Sequence, residues 1–182
     1  MTRYHDVSMY FALAIALALL GGTFGNTIRD STKKTTLKEL REALETNEKF
    51  WLKKRTYNIT GHSCVYAKKV LLENNKYEFE QHFLNNSQKV KHELMAQLSE
   101  GQDGAVMNVG QKGGETTVPY TLKYWRYYEK CGILTLTRKN VEECEMHVWD
   151  SHIRYDTPYC YAAYKRICPD RQSYEVYKRY CK

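Results

Sequence analysis

The sequence is poor in residues and patterns that would divide it into parts or carry it across a membrane. It contains only three prolines and ten glycines in 182 residues, without a Gly or Pro period, which excludes collagen-like and low-complexity chains. Its apolar run from Met9 to Leu20 has twelve residues, too few for a helix across roughly 30 Å of hydrocarbon. Because no repeat or Pro/Ser-rich linker follows, we expect one domain.

Signatures of catalysis are also missing. The sequence has no Gly-x-Ser-x-Gly, no His-Glu-x-x-His and no phosphate-binding glycine loop between a strand and a helix. It has no Cys-x-x-Cys, so neither a zinc ribbon nor a thioredoxin-type site has its spacing. His147 and His152 lack a third ligand at a useful spacing. We therefore expect a binding protein rather than an enzyme, with no metal and no cofactor.

The net charge of +7 does not point to a nucleic-acid partner. Lysines and arginines are scattered in short clusters rather than gathered into one stripe, and no nucleic-acid-binding motif is present. We interpret the charge as a solvated basic surface. Such a surface would attract anionic glycans or cell surfaces weakly, and high salt would screen this attraction.

Residues 1–25 have the layout of a secretory signal peptide. Arg3 lies in a polar n-region, the twelve apolar residues follow, and small residues surround the expected cleavage after Gly25, with Gly22 as the alternative. The other interpretation, an N-terminal membrane anchor, is disfavoured by the short apolar run. We expect a secreted, extracellular protein without stable membrane association, whose single domain comprises residues 26–182.

Export determines how the cysteines are interpreted. An even number in an oxidising compartment indicates three disulfides rather than thiol catalysis, but spacing alone leaves 15 pairings open. Two glycosylation sequons, beginning at Asn58 and Asn85, are consistent with secretion. The six cysteines are Cys64, Cys131, Cys144, Cys160, Cys168 and Cys181.

Short β-prone runs separated by turn residues fill the middle of the chain. They predict eight strands, at 50–59, 62–72, 76–84, 90–98, 104–110, 116–125, 132–138 and 144–150. The run 90–98 also fits a helical period. The simplest arrangement is an all-β fold, an eight-stranded antiparallel up-and-down barrel, whose interior its own side chains nearly fill or which holds one small ligand.

Helices flank the predicted barrel at both ends of the sequence. A capping-box pattern at Thr36 and Glu39, followed by leucines at helical spacing, predicts an N-terminal helix over 36–48. Pro158 fits the first turn of a C-terminal helix over 157–167. Residues 173–181 form either a final helix or an extended tail.

Alternation in the last strand leaves two registers open. Glu145, His147 and Trp149 share one face, and Met146 and Val148 share the other. If the first set faces inward, it forms a polar and aromatic pocket wall; if the second set does, Glu145 is a solvated carboxylate. A slip of one residue exchanges the two sets. For the aromatic and basic run 120–128, barrel core with a basic exterior is favoured over a ligand-facing wall.

The segment CGILTLTRKNVEECEMHVWD, with Cys160 following it, resembles the signature region of the tick salivary lipocalins, which include the tick histamine-binding proteins. The leader, the strand ending LKKRTYN and the terminal Cys181 are similar too. The resemblance implies a lipocalin barrel. It also implies the disulfides Cys64–Cys181 and Cys131–Cys160, which leaves Cys144 to pair with Cys168.

The resemblance further implies capture of a host amine such as histamine or serotonin, which would dampen host defence and inflammation. A buried cationic amine needs carboxylates to replace its hydration and aromatic faces for cation–π attraction. Gly132 replaces the aspartate of the family motif, which removes one cation partner. The predicted ligand-binding residues are Tyr57, Glu93, Glu145, His147 and Trp149.

Two other functions fit the same sequence. The barrel could carry a lipid such as a sterol, fatty acid or eicosanoid, which the loss of the aspartate at Gly132 and the apolar strands favour. Alternatively, it could be a scaffold for an immune modulator that binds a host protein. Extraction of bound lipid distinguishes the first function, and a salt-resistant complex with a host protein distinguishes the second.

Overall fold

The computed structural model describes residues 33–181. The signal peptide predicted over residues 1–25 lies outside this range. Within the range, no helix is both long enough and apolar enough to cross a membrane.

Eight antiparallel strands form a closed up-and-down barrel, which confirms the predicted architecture. Neighbours along the chain pair with each other from β2 to β8, β8 pairs with β1, and β1 pairs with β2 to close the circle. The run that also fitted a helical period is a strand. The strands are β1 Phe50–Arg55, β2 His62–Glu73, β3 Lys76–Asn85, β4 Gln88–Ser99, β5 Val106–Gln111, β6 Thr117–Arg126, β7 Cys131–Arg138 and β8 Val141–Trp149.

Helix α1, Leu37–Leu44, covers one end of the barrel, which we call the closed end. The predicted capping box is present, because the Thr36 side chain accepts from the Glu39 amide and the Glu39 side chain accepts from the Thr36 amide. Leu40, Ala43 and Leu44 are buried against the barrel interior. The helix ends before the predicted Glu48 because the backbone leaves the helical conformation at Glu45.

Helix α2, Pro158–Ile167, packs on the outside of the barrel against β6 and β7. Cys131–Cys160 joins it to β7, and Cys144–Cys168 joins its C-terminal end to β8. Cys64–Cys181 ties the C-terminal segment to β2. All three pairings are those that the family resemblance implies.

β-Bulges in β1 and β6 reverse which residues of these two strands face inward. In β1 the register shifts between Leu52 and Lys54, and in β6 it shifts between Leu122 and Tyr124. A bulge adds one unpaired residue, so the alternation of faces restarts after it. As a result Arg55 lies opposite the inward-facing Glu145, and Trp125 packs against interior rings rather than against α2.

The C-terminal segment fills a gap between β1 and β2. These strands pair directly only at Phe50↔Ala67 and Trp51↔Tyr66. Towards the opposite end of the barrel, which we call the open end, a two-residue strand β9, Tyr174–Glu175, pairs with β1 instead. The C-terminal segment, for which the sequence allowed either a final helix or an extended tail, is therefore extended and completes the barrel wall.

Candidate functional site

The register of β8 places Glu145, His147 and Trp149 inside the barrel. Met146 and Val148 on the opposite face belong to the cluster packed between the barrel and α2. Of the two registers that the sequence left open, the structure has the one that builds a polar and aromatic interior wall.

A small cavity of about 50 Å³ lies inside the barrel beside Glu145 and His147. This volume has room for about four water molecules, and it is well below the roughly 300 to 1,000 Å³ of pockets for drug-sized ligands. Most of the wall is apolar or aromatic, and the polar side chains are few. The lining includes Phe50, Leu52, Val65, Phe79, Met107, Leu134, Tyr120, Gln81, Glu145 and His147.

Glu145 is the carboxylate of this cavity. It is 5% exposed, and both of its oxygens accept hydrogen bonds from side chains. The Tyr57 hydroxyl donates to Oε1, and His147 Nε2 lies 2.8 Å from Oε2. The structure therefore brings together three of the predicted site residues.

Opposing effects act on the charge of Glu145. Burial by itself raises the pKa of the carboxyl. The hydrogen bond and the electrostatic attraction of His147, the hydrogen bond from Tyr57 and the positive charge of Arg55 outweigh burial and hold the pKa of Glu145 below its ordinary value. Burial and the same carboxylate raise the pKa of Tyr57 and that of Tyr120, so both phenols are hydroxyl donors at neutral pH. Glu145 thus contributes a carboxylate to the cavity, with Arg55 and His147 beside it.

His147 contributes a polar atom without a partner. The other ring nitrogen, Nδ1, accepts a hydrogen bond in the neutral imidazole and donates one in the imidazolium. This Nδ1 is buried and has no hydrogen-bond partner among residues 33–181. The imidazole packs against Phe50, with ring centroids 5.1 Å apart. A polar group on a ligand would satisfy this nitrogen.

Cationic side chains surround Tyr57 towards the open end. The guanidinium carbons of Arg55 and Arg138 lie 4.8 Å and 4.1 Å from the centre of its ring. Arg55 is only 3% exposed and donates from Nε to the Tyr57 carbonyl at 3.0 Å. These contacts fix the phenol above Glu145.

Trp149 faces inward but lies at the closed end. Its indole N–H donates to the Ala43 carbonyl of α1 at 2.9 Å, and its ring packs 5.7 Å from that of Trp125. It is not among the residues that line the cavity. Trp149 was predicted to contact ligand; the structure places it in the floor beneath the cavity.

Trp125 occupies the space beside Gly132, the position of the missing family aspartate. A Cβ atom on Gly132 would lie 3.3 Å from Trp125 Cε3 and 3.4 Å from the Tyr124 carbonyl oxygen. The indole N–H of Trp125 donates to Glu42 at 2.6 Å. An acidic side chain at position 132 would therefore need Trp125 to move.

The prediction that Glu93 lies in the pocket is wrong, because its side chain is 62% exposed and pairs with Lys91 on the barrel exterior. In β4 the inward positions belong to the buried Ala96 and Leu98 and to residues at even spacing from them. Alternation from these two residues would have placed Glu93 outside.

Sequence reasoning missed three polar contributors to the site, Arg55, Gln81 and Tyr120. Tyr120 and Gln81 occupy alternating positions in β6 and β3, so a correct register would have found them. Arg55 carries no such signal, since simple alternation from Phe50 and Leu52 predicts Lys54 to face inward. Only the bulge brings Arg55 into the barrel.

Both predicted glycosylation sequons lie at the open end. Asn58 is in the connection between β1 and β2, Asn85 ends β3, and both side chains are exposed. Their modification stays a prediction. In the described range, no three His, Cys, Asp or Glu side chains form a group that could hold a metal ion.

Comparison with known families agrees with this architecture. The sequence model of the tick histamine-binding proteins matches residues 28–182, nearly the whole chain. The chain belongs to the tick histamine-binding protein family. A search of curated protein sequences finds no significant match.

Solved structures share the fold of this family member at low sequence identity. A serotonin complex of AM182 superposes with a TM-score of 0.60 at 18% identity, covering 79% of this chain and 92% of that chain. Japanin from Rhipicephalus appendiculatus, bound to cholesterol, superposes with a TM-score of 0.53 at 11% identity, covering 74% of this chain and 95% of that chain. The siderocalin Ex-FABP superposes with a TM-score of 0.55 at 12% identity, covering 76% of this chain and 95% of that chain. These similarities establish a lipocalin fold.

Proposed function

We propose that this protein is a secreted lipocalin that captures a small biogenic amine, such as histamine or serotonin, and so dampens host defence. The observation that carries the proposal is the buried, ionised Glu145 beside an unpartnered His147 Nδ1. An ammonium group would hydrogen-bond to the Glu145 carboxylate as a further positive partner beside Arg55, and a second polar group on the ligand would satisfy Nδ1. Family membership and the serotonin complex of AM182 support the same ligand class.

The amine exchanges water for protein groups when it enters. Its ammonium loses hydration, and a charge-assisted hydrogen bond to Glu145 replaces part of that loss. Phe50 and Tyr120 in the wall offer ring faces, and cation–π attraction is strongest where water is excluded. With one acidic side chain in the cavity lining, the site fits a ligand with a single positive charge.

Cavity size favours a one-ring or two-ring amine over a sterol. A small amine would require the cavity of about 50 Å³ to enlarge by rotation of a few side chains, whereas a sterol would require the packed closed end to open. Trp125 and Trp149 there are both hydrogen-bonded to α1. We expect one amine per barrel, bound beside Glu145.

Calorimetric titration of histamine and serotonin into the disulfide-intact protein at neutral pH tests this function. We expect saturable one-to-one binding at micromolar Kd or tighter, roughly −8 kcal/mol or better. The titration is repeated at a second temperature, because an enthalpy near zero at one temperature would conceal binding. Absence of heat at both temperatures, for both amines, would contradict the proposal.

A pair of variants tests the role of the carboxylate. Glu145→Gln keeps the shape of the side chain and removes its charge, so we expect affinity to fall about 10-fold to 100-fold, the worth of a charge-assisted hydrogen bond. Glu93→Gln makes the same chemical change on the exterior of the barrel and is the matched control. Equal affinities of the two variants would remove Glu145 from the site.

An anionic lipid such as a fatty acid or eicosanoid is the second candidate. Arg55 and Arg138, both next to the Tyr57 ring, favour it, since their guanidinium groups could hold a carboxylate at the open end while a chain enters the apolar cavity. Mass spectrometry of an organic extract of the secreted protein detects such a ligand. Arg138→Gln would weaken binding of a fatty acid and leave amine affinity nearly unchanged.

A further inference from the structure

One polar side chain lies among the aromatic residues that β3 turns into the barrel. Tyr77 and Phe79 are buried in the interior cluster, and the alternation that they set also turns Gln81 inward. Gln81 lines the same cavity as Glu145. Because an apolar side chain would fill this position equally well, packing alone does not account for the amide.

The Gln81 amide has no partner within the described range. Its cross-strand neighbours are Ala67 in β2 and His92 in β4. Ala67 has no polar side-chain atom, and the imidazole of His92 stacks on Phe83, with ring centroids 5.4 Å apart. No group of residues 33–181 hydrogen-bonds to the Gln81 side chain. Its carbonyl oxygen is thus available as an acceptor and its NH₂ group as a donor.

An amide without a partner in a barrel interior requires water or a ligand. Removing such a group from water without a new hydrogen bond is unfavourable. The cavity of about 50 Å³ has room for a few water molecules beside Gln81. A ligand that displaces this water and presents only carbon atoms would leave the amide unpaired, whereas a ligand with a suitably placed polar group would replace the water.

Gln81 and Glu145 reach the cavity from different parts of the barrel wall. They lie on β3 and β8, and β1 and β2 stand between these two strands in the circle of eight. A ligand held by both side chains must therefore carry polar groups at two separate ends. Its ammonium group at Glu145 supplies one end, and a hydroxyl on its ring system supplies the other.

We propose that Gln81 selects amines that carry a second polar group at the end remote from the ammonium group. This inference rests on the proposed function, since it takes the ammonium group to lie at Glu145, and it names the class of amine that the site prefers. A site built to hydrogen-bond a hydroxyl discriminates against the analogue that lacks it, because the protein group is then left unpaired. The preferred ligands are hydroxyaryl-alkylamines rather than plain aryl-alkylamines.

Two pairs of amines that differ by one ring hydroxyl test the inference by titration calorimetry. Serotonin is compared with tryptamine, and tyramine with phenethylamine. In the native protein we expect the hydroxylated amine of each pair to bind about 3-fold to 10-fold more tightly, the worth of a neutral hydrogen bond. Gln81→Met keeps the length of the side chain and removes the amide, so both members of a pair should bind it with nearly equal affinity.

Gln97→Met is the matched control, since it makes the same change at an exposed position of β4. It should keep the native preference. Gln81→Met should leave the free energy of unfolding unchanged or raise it, because the native amide has no protein partner to lose. A marked loss of stability in denaturant titration, with the native preference retained, would assign Gln81 a structural role and overturn the inference.

Hydroxyindole and indole, which carry no ammonium group, separate this inference from the proposed function. If no amine binds, but the native protein prefers hydroxyindole to indole and Gln81→Met does not, the amine proposal fails and the role of Gln81 stands. The inference is overturned if the native protein prefers no hydroxylated compound, if Gln81→Met keeps the preference, or if none of these compounds binds.

Discussion

The two ends of the barrel interior are built from different chemistry. At the closed end, Trp125 and Trp149 fill the space and place their indole N–H groups on partners in or beside α1. Nearer the open end, the interior holds a buried carboxylate, an imidazole with an unpartnered nitrogen and a small cavity. Full packing with satisfied polar groups stabilises a fold, whereas an incompletely satisfied polar site is available to a ligand. The packed indoles and the candidate site thus occupy different parts of the interior, and Leu44 of α1 lies where the two parts meet.

The largest expected effect comes from emptying the closed end. Trp125→Ala should lower the free energy of unfolding by about 3 to 5 kcal/mol, because it leaves a large cavity in the core and deprives Glu42 of its donor. Denaturant titration measures this. Tyr128→Ala, at a tyrosine that is 83% exposed, is the control and should change stability little. Similar losses for both variants would contradict the assignment of stability to the closed end.

Introducing an acid beside Trp125 should have the next largest effect. Gly132→Asp places a Cβ 3.3 Å from the indole and adds a buried charge, so we expect a loss of about 1 to 3 kcal/mol. The double variant Gly132→Asp/Trp125→Ala should lose less stability than the sum of the losses of the two single variants, because the indole no longer obstructs the new side chain. Strict additivity in chemical denaturation would show that Trp125 does not obstruct position 132.

The N-terminal cap of α1 should contribute less to the free energy of unfolding than either indole does. Thr36→Ala removes the side-chain acceptor for the Glu39 amide and should cost about 1 kcal/mol. Amine affinity should stay nearly unchanged, since Thr36 lies at the start of α1 and is not among the residues that line the cavity. Thermal unfolding together with calorimetry checks both statements, and Thr116→Ala, at an exposed loop threonine, is the control. A change in affinity without loss of stability would mean that the two ends are coupled.

The smallest expected effect is the dependence of stability on pH through Glu145, because burial and hydrogen bonding shift its pKa in opposite directions. Its pKa is lowered in the folded protein, so its contribution is fully present above the ordinary carboxyl pKa of 4.5. That contribution is lost as the pH falls through the lowered value. Between pH 6 and 3, Glu145→Gln should therefore lose less stability than Glu93→Gln. Parallel curves would show that folding does not shift the pKa of Glu145.

Much of the fold follows from the sequence, because alternation and turn residues act locally. The eight strands, both helices and the barrel closure were all predictable from short segments, and the family resemblance gave the disulfides. The N-terminal helix was predicted too long, since nothing in the sequence near Glu45 marks its end. The extended form of the C-terminal segment depends on the gap between β1 and β2, which no local pattern encodes.

The site was only partly predictable, and bulges are the main reason. Glu145 and His147 were named from the motif and the strand period, but their inward orientation needed the register with β1 and β7. Arg55 and Trp125 face inward because one extra residue precedes each of them in its strand. No side-chain pattern in either segment signals that insertion. Glu93 was misplaced for a different reason, because it was predicted from the family resemblance, whereas the alternation of β4 puts it on the exterior.

The seam between β1 and β2 also has a consequence for the order of assembly. Cys64 and Cys181 are 117 residues apart in sequence, and the C-terminal segment pairs with β1 across a similar separation. Contacts of such separation form late, because the chain between them must first become compact. We therefore expect the barrel wall around the candidate site to close at the end of folding. Capacity to retain ligand is then a direct assay of correctly oxidised, fully folded protein.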